Sequence, residues 1–185
     1  MPVIISLLRG VNVVGRNKVK MDALRDLCGS LGLRDAQTYL QSGNVVFRTK
    51  SQDLPLLARR IEEAIEEKFG FRPGVTLRSA SDLKKVIARN PFAKRRGIEP
   101  SKLLVTFFIH EPSPKMRSDI LRVKADYPEE VVIDGRELYV YFPEGMGQSE
   151  LWRAINKALK KSGTGRNWNT VTKLLEMAEI LEGSR

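Results

Sequence analysis

The first 80 residues alternate between apolar runs that are typical of strands and apolar spacings that are typical of helices. A continuous apolar run near the start predicts a buried strand, and four apolar residues between 24 and 31 recur at helical spacing before Gly32. The resulting order βαββαβ is that of the ferredoxin-like plait. The predicted elements are a strand at 3–8, a helix at 24–31, a hairpin of strands at 38–40 and 45–47, a helix at 54–69 capped by Asp53, and a strand at 75–77.

The second half nearly repeats this order, except that its sixth element is predicted to be a helix and not a strand. We therefore expect an α+β fold of tandem, duplicated ferredoxin-like βαββαβ plaits, with halves at 1–80 and 81–185 and the second half ending in helices. The predicted elements are a bridging helix at 82–89, a basic loop at 93–102, a strand at 103–109, a helix that opens at Ser113-Pro114, a hairpin at 131–142 around Asp134-Gly135, and helices at 149–161 and 170–181.

Composition narrows the class of protein. The chain has 185 residues and a single cysteine, so it has no intrachain disulfide, which fits a reducing compartment. Its first residues resemble neither a signal peptide nor a membrane span. We therefore expect a cytoplasmic protein that does not enter a membrane. Cys28 lies in the apolar stripe of its helix and is interpreted as a core residue.

The net charge of +10 is unevenly distributed along the chain. Residues 1–50 carry eight Lys and Arg against three Asp and Glu, and residues 80–125 carry eleven against four. A basic field of this kind attracts polyanions, but it also keeps a protein in solution. Both interpretations stay open at the level of sequence.

Few residue patterns predict a catalytic site or a binding site. One cysteine and one histidine cannot form a soft metal site, so we expect no metal and no cofactor. The loop at 10–17 has glycines at phosphate-loop spacing, but Arg16-Asn17 stands where Lys-Ser/Thr is required, which excludes a nucleoside triphosphatase. Arg9, Arg16, Lys18 and Lys20 crowd this loop before a helix, where they could hold an anion or remain solvated.

Two aromatic groups are candidates for stacking on a base. Trp168 stands beside Arg166 before the last helix, for which Asn169 or Thr170 is expected to be the N-cap. The alternative is that Trp168 anchors the helix and Arg166 caps backbone carbonyls. Tyr139 and Tyr141 should face away from the helix layer, as the aromatic residues of RNA-recognition domains do, although the sequence motif of those domains is absent.

Several stretches together resemble one family, the largely bacterial group catalogued as domain of unknown function 1697. They are LLRGVNVVGRNKVKM at 7–21, YLQSGNVVF at 39–47, NPF at 90–92, FPEG at 142–145 and RNWNTVTKL at 166–174. The resemblance implies a cytosolic α+β protein with a duplicated plait and implies no activity. Its polar signature positions, which we take as candidate ligand-binding residues, are Arg9, Asn12, Lys18, Gln41, Ser42, Asn44, Arg166, Asn167 and Asn169.

Three functions remain open, and the balance leans away from an enzyme. The first is a non-enzymatic binder of phosphate-bearing ligands, nucleic acid among them, which uses the two cationic segments and Arg166. The second is an enzyme or sensor for a small anionic metabolite, with Arg9, Lys18, Gln41, Asn44 and Arg166 in one pocket. The third is a protein–protein interaction module. The sequence predicts no oligomeric state.

Overall fold

The protein has an α+β fold with two four-stranded antiparallel sheets. A computed structural model describes residues 1–13, 15–125, 127–147, 149–159 and 162–184, and these contain six α-helices. No helix within these ranges is long and apolar enough to cross a membrane. The elements are β1 Val3–Arg9, α1 Met21–Ser30, β2 Arg34–Tyr39, β3 Asn44–Arg48, α2 Leu54–Phe69, β4 Gly74–Ser79, α3 Ala80–Ala88, β5 Leu103–Phe108, α4 Pro114–Lys124, β6 Glu130–Asp134, β7 Glu137–Tyr141, α5 Glu150–Leu159, β8 Gly163–Asn167 and α6 Trp168–Gly183.

The strands of the two sheets are ordered β2-β3-β1-β4 and β6-β7-β5-β8. Packing divides the chain into two units. The first comprises Met1–Lys85 together with the chain from Lys173 onward, and the second comprises Val86–Thr172. The sequence predicts a division between residues 80 and 81, which places the whole C-terminal helix in the second half.

Several predicted elements are confirmed to within a residue or two. The predicted α2 has the observed bounds, and the Asp53 carboxylate accepts a hydrogen bond from Leu56 N at 2.9 Å as its N-cap. Ser113 caps α4 in the same way, through Met116 N at 3.2 Å. The predicted helix at 149–161 is observed as α5 Glu150–Leu159, and residues 160 and 161 lie outside the described residues.

One face of the first sheet packs against α1 and α2 to form a core. The strand residues of this core alternate along β1, β3 and β4, as a half-buried pleated surface requires. Cys28 lies in this core, which confirms its interpretation, and burial raises the pKa of its thiol to about 11. On the other face, Arg48 donates hydrogen bonds to the carbonyl oxygens of Leu181 and Ser184, so the end of α6 lies beside the first sheet.

The second sheet packs one face against α4 and α5, with Leu138 and Val140 in that core. Tyr139 and Tyr141 alternate with these two residues and therefore lie on the opposite face. The segment 86–97 reaches that face, because Val86 and Gly97 accept hydrogen bonds from the two tyrosine hydroxyls.

The expectation that the sixth element of the second half is a helix was wrong. Residues 163–167 form β8, which pairs antiparallel with β5 in the register Thr106↔Gly165 and Phe108↔Gly163. A Cβ at position 163 would lie 2.7 Å from Thr106 Cγ2, so glycine permits the close approach of the two strands. The sequence predicts no strand here, because glycine is depleted in strands.

Candidate functional site

The loop between β1 and α1 is shaped by residues in the left-handed region. Gly10, Asn12, Gly15 and Asn17 have φ values of 80°, 53°, 76° and 52°. Glycine and asparagine tolerate this region better than other residues. Asn12 N donates to Asn17 O at 3.0 Å, and the Asn17 side chain donates to Gly10 O at 2.7 Å. The loop is therefore closed on itself by hydrogen bonds.

The Asn12 side chain joins this loop to the turn between β2 and β3. Its Nδ2 donates to Val19 O at 3.0 Å and to Gln41 O at 2.7 Å, and its Oδ1 accepts from Val19 N at 2.8 Å. Asn12 was predicted to bind a ligand, but in the structure its amide holds two backbone segments together. Gln41 is brought beside the loop by this contact.

The turn at 40–43 is fixed from both sides. Leu8 N donates to Gly43 O at 2.9 Å, and Asn44 Nδ2 donates to Tyr39 O and to Ser42 Oγ, each at 2.9 Å. Asn44 is fully buried. Like Asn12, it supports the backbone and offers no amide to solution, whereas the neighbouring Gln41 and Ser42 are exposed.

Four cations of the loop have no ion pair with any described residue: Arg9, Arg16, Lys18 and Lys20. Arg16, Lys18 and Lys20 are exposed, and Arg9 is half-buried. Arg9 Nε lies 3.3 Å from the position that a Cβ on Gly74 would occupy, and partial burial lowers the pKa of its guanidinium. A desolvated cation without a counter-ion gains more from binding an anion than a fully hydrated one does.

We call these four cations, together with Gln41 and Ser42, the loop surface. It offers charged donors and an amide, which bind oxyanions, and these six residues include no carboxylate, imidazole or thiol for proton transfer. Among its predicted members, the structure brings together Arg9, Lys18, Gln41 and Ser42 at one end of the first sheet, since the loop follows β1 and contacts the β2–β3 turn.

Two apolar residues next to the loop surface were missed by sequence reasoning. Val13 is 52% exposed and Leu40 is 56% exposed. Leu40 also has a φ of 58°, a conformation that a leucine adopts at an energetic cost. The sequence carries no signal for this, because Tyr39-Leu40 continues the apolar pattern of a strand.

Arg166 lies in the second unit, on β8 opposite Val105. Its Nη1 donates to Gly165 O at 2.8 Å, and burial lowers the pKa of its guanidinium to about 10. Arg78 occupies the corresponding register position of the first sheet, opposite Ile5, and is also buried. The buried, hydrogen-bonded guanidinium of Arg166 agrees with the structural interpretation. A common recess of Arg166 with Arg9 and Lys18 stays a prediction.

The residues after Arg166 begin the last helix. Asn167 Oδ1 accepts from Asn169 N at 3.0 Å, so Asn167 is the N-cap in place of the expected Asn169 or Thr170. The Asn167 amide also donates to Ser101 O at 2.7 Å. Asn169 is exposed, and Trp168 is half-buried at the first position of α6. Stacking by Trp168 stays a prediction.

Tyr139 and Tyr141 face away from the helix layer as predicted, but they are not available for stacking on a base. They are 1% and 8% exposed. Their hydroxyls donate to Val86 O at 2.9 Å and Gly97 O at 3.4 Å, and the Phe92 and Tyr141 ring centroids lie 5.9 Å apart. The segment after α3 occupies the face that a base would need.

Most of the cations in the basic segment at 80–125 form ion pairs in the fold. Arg89 and Arg95 pair with acidic residues of β6, which are distant in sequence. Further pairs form nearer in sequence, as between Arg117 and Glu111. The excess of positive charge in this segment therefore does not translate into an equally cationic surface. The cations of 80–125 with an ion pair are Lys84, Arg89, Arg95, Lys102, Lys115, Arg117 and Arg122.

One solved structure from a bacterium is similar in fold over almost the whole chain. The conserved bacterial protein SP0830 from Streptococcus pneumoniae is 21% identical, with a TM-score of 0.69 over 96% of this chain and 98% of that one. An unknown protein from Galdieria sulphuraria is 13% identical, with a TM-score of 0.28 over 89% of this chain and 96% of that one. None of the curated proteins matches the chain significantly.

The sequence profile of one family covers most of the chain. The family is described as Protein of unknown function (DUF1697), and its profile matches residues 1–139. The match includes β1, the loop that follows it and the β2–β3 turn, and so all six residues of the loop surface. Because the profile extends over well more than half of the sequence, the protein belongs to the DUF1697 family.

Proposed function

We propose that the protein is a non-enzymatic binder of phosphate-bearing polyanions, specifically nucleic acid, and that the loop surface is its binding site. The observation that carries this proposal is the set of four cations, Arg9, Arg16, Lys18 and Lys20, that have no ion pair within the described chain. Phosphate groups bind such cations and release condensed counterions, which supplies most of the affinity in non-specific binding.

The hydrogen bonds of the loop support this proposal. The hydrogen bonds of Asn12 and Asn17 fix the backbone that carries the cations. A preorganised loop loses less conformational entropy when it binds than a flexible one. Arg9 adds a partly desolvated guanidinium, for which a phosphate would replace lost hydration.

The apolar residues at the same end of the sheet fit this ligand. Val13 and Leu40 are exposed beside the cations, and Leu40 is held there against its backbone preference. Strained residues are often retained where they serve binding. In single-stranded nucleic acid, unstacked bases offer faces on which aliphatic side chains can pack, while the phosphates bind the cations.

The salt dependence of binding tests this proposal. The ligand is a fluorescein-labelled single-stranded RNA of mixed sequence, followed by fluorescence anisotropy between 50 and 200 mM salt. The triple variant Arg16→Gln, Lys18→Gln, Lys20→Gln should reduce the slope of log K against log salt by about 2, since each phosphate contact contributes about 0.7 on a single strand.

The matched control removes the same charge elsewhere. Lys85, Lys94 and Arg96 are exposed and have no ion pair with a described residue, and their triple glutamine variant should leave the slope unchanged. A flat salt response of the native protein, or equal losses in the two triple variants, would contradict the proposed site.

We also propose a more specific fold class than an α+β fold with two antiparallel sheets. The element order βαββαβ and the strand orders β2-β3-β1-β4 and β6-β7-β5-β8 support a tandem duplication of the ferredoxin-like plait. A cytoplasmic, bacterial protein is supported by the single buried cysteine and by the bacterial source of the similar solved structure. Fractionation of cells that express the protein would test its location.

A further inference from the structure

A cationic pocket lies at the opposite end of the first sheet from the loop surface. Its volume is about 480 Å³ and it is open to solvent. It lies where α1 ends, β2 begins and β3 ends, beside the first turns of α2. The lining residues are Met1, Leu31, Gly32, Leu33, Arg34, Thr49, Lys50, Ser51, Leu57 and Arg60.

Three of the lining residues are cations and none is acidic. Arg34 lies in β2, Lys50 follows β3 and Arg60 lies in α2, and within the part of the chain that the structure describes they have no ion pair. All three are exposed and line the same pocket without a counter-charge, so a bound anion would interact favourably with each of them.

The acidic residues nearest in sequence to these cations already bind other groups. Asp35 follows Arg34, but its carboxylate lies 3.2 Å from Arg48 Nε. Asp53 precedes α2, and its carboxylate accepts from Leu56 N at 2.9 Å as the N-cap. Neither residue lines the pocket, so the charged side chains that line it are all cationic.

The floor of the pocket is part of the folded core. Leu33, Thr49 and Leu57 are buried and line it from below. Thr49 Oγ1 accepts from Ser51 N at 3.0 Å, which fixes the backbone that carries Lys50. The end of α1 and the start of α2 contribute helix dipoles of opposite sign, so their effects on an anion largely offset each other. The three cations therefore surround a floor that the folded core holds in place.

We propose that this pocket binds a small phosphorylated ligand, of the size of a sugar phosphate or a diphosphate. A volume of about 480 Å³ lies within the range of small-molecule sites, which is roughly 300–1,000 Å³. Two arginines and a lysine match phosphate oxygens, because guanidinium groups bind them in a bidentate fashion and ammonium groups bind them as point charges. The mostly polar rim selects an anion over an apolar ligand.

This site is separate from the loop surface. Arg9 lies at the end of β1, whereas the strand residues next to the pocket pair with its start, because Val3 lies opposite Arg48. The seven residues of β1 span about 20 Å at the usual rise per residue. A ligand of this size cannot reach both ends, so the pocket can be tested independently of nucleic-acid binding.

The test uses isothermal titration calorimetry of the whole protein with inorganic pyrophosphate, ribose 5-phosphate and, as a non-phosphate anion, citrate. Arg60→Gln is expected to weaken binding of the phosphate probes at least about tenfold, the usual effect of losing one charge-assisted hydrogen bond. Arg59→Gln is the matched control, because Arg59 is the exposed neighbour on α2 and does not line the pocket.

The outcomes separate the proposals. Binding of a phosphate probe that Arg60→Gln weakens and Arg59→Gln leaves unchanged supports the site, and preference for ribose 5-phosphate over pyrophosphate would assign a sugar phosphate. No binding at millimolar concentration, binding of citrate as tight as that of the phosphates, or equal losses in the two variants would overturn it. The triple variant of the loop surface should bind these probes as the native protein does.

Discussion

At the scale of single residues, Gly43 holds the turn of the loop surface in place. It has a φ of 73°, and a Cβ at this position would lie 2.7 Å from Leu8 Cβ. Both the backbone conformation and the close approach to β1 therefore require glycine. Gly43 therefore positions the Gln41 and Ser42 side chains, because glycine allows the turn to pass close to β1.

Gly43→Ala should destabilise the protein by about 2–4 kcal/mol, the sum of a left-handed alanine and an overpacked contact. Gly70→Ala is the control, since Gly70 has a φ of 76° and no atom within 4 Å of the added Cβ. It should cost only about 1 kcal/mol. Chemical denaturation measures both, and equal losses would show that the close contact with Leu8 is unimportant.

The sequence does not assign the roles of the polar signature residues at this scale. Asn12 and Asn44 are candidate ligand-binding residues by sequence, and the structure shows that their amides bind backbone groups. These partners are up to 29 residues away in the chain, as for Asn12 and Gln41. A side chain that binds backbone cannot be distinguished in sequence from one that binds a ligand.

At the scale of elements, β8 shows why a strand was missed. Its glycines alternate with Thr164 and Arg166, so the period of two is present, but without the apolar side chains that normally reveal it. Glycine is needed at position 163 because β8 passes close to Thr106 of β5. The helices α2 and α4 were predictable because their caps and apolar stripes are local signals.

Gly163→Ala should therefore destabilise the protein by about 1–3 kcal/mol, because the new methyl group would meet Thr106 Cγ2 at 2.7 Å and Phe107 O at 3.1 Å. The control is Gly29→Ala in α1, where no atom lies within 4 Å of the added Cβ. Alanine has the higher helix propensity and should stabilise the protein by roughly 0.5–1 kcal/mol. Opposite shifts of the thermal midpoint are the expected result, and a neutral Gly163→Ala would argue against the β5–β8 pairing.

At the scale of the whole molecule, the C-terminal helix belongs to the first unit through its second half. Arg48 binds the carbonyls at the end of α6, and Lys84 Nζ lies 3.2 Å from Glu179 Oε1. The sequence predicts the helix but not its position, because the partner residues lie far earlier in the chain, 133 residues in the case of Arg48 and Leu181. The sequence also does not predict which cations stay unpaired, because some of their ion pairs join residues that are distant in the chain.

The packing of α6 can be tested with two adjacent residues. Leu181 is 5% exposed and Ile180 is 60% exposed. Leu181→Ala should cost about 2–4 kcal/mol, whereas Ile180→Ala should stay within about 0.5 kcal/mol. Hydrogen exchange measured by mass spectrometry should accelerate in β1 and β3 of the Leu181 variant. Faster exchange confined to β5 and β7 would place the helix end elsewhere.

The length of β1 has a consequence for the two proposed anion sites at its ends. About 20 Å separates them, which is more than twice the Debye length of roughly 8 Å at physiological ionic strength. Mobile ions then screen each site from the other, and occupancy at one end should not alter affinity at the other. At about 0.01 M salt the screening length grows to roughly 30 Å. Filling one end should then reduce the attraction that the other exerts on an anion, giving negative cooperativity only in dilute buffer.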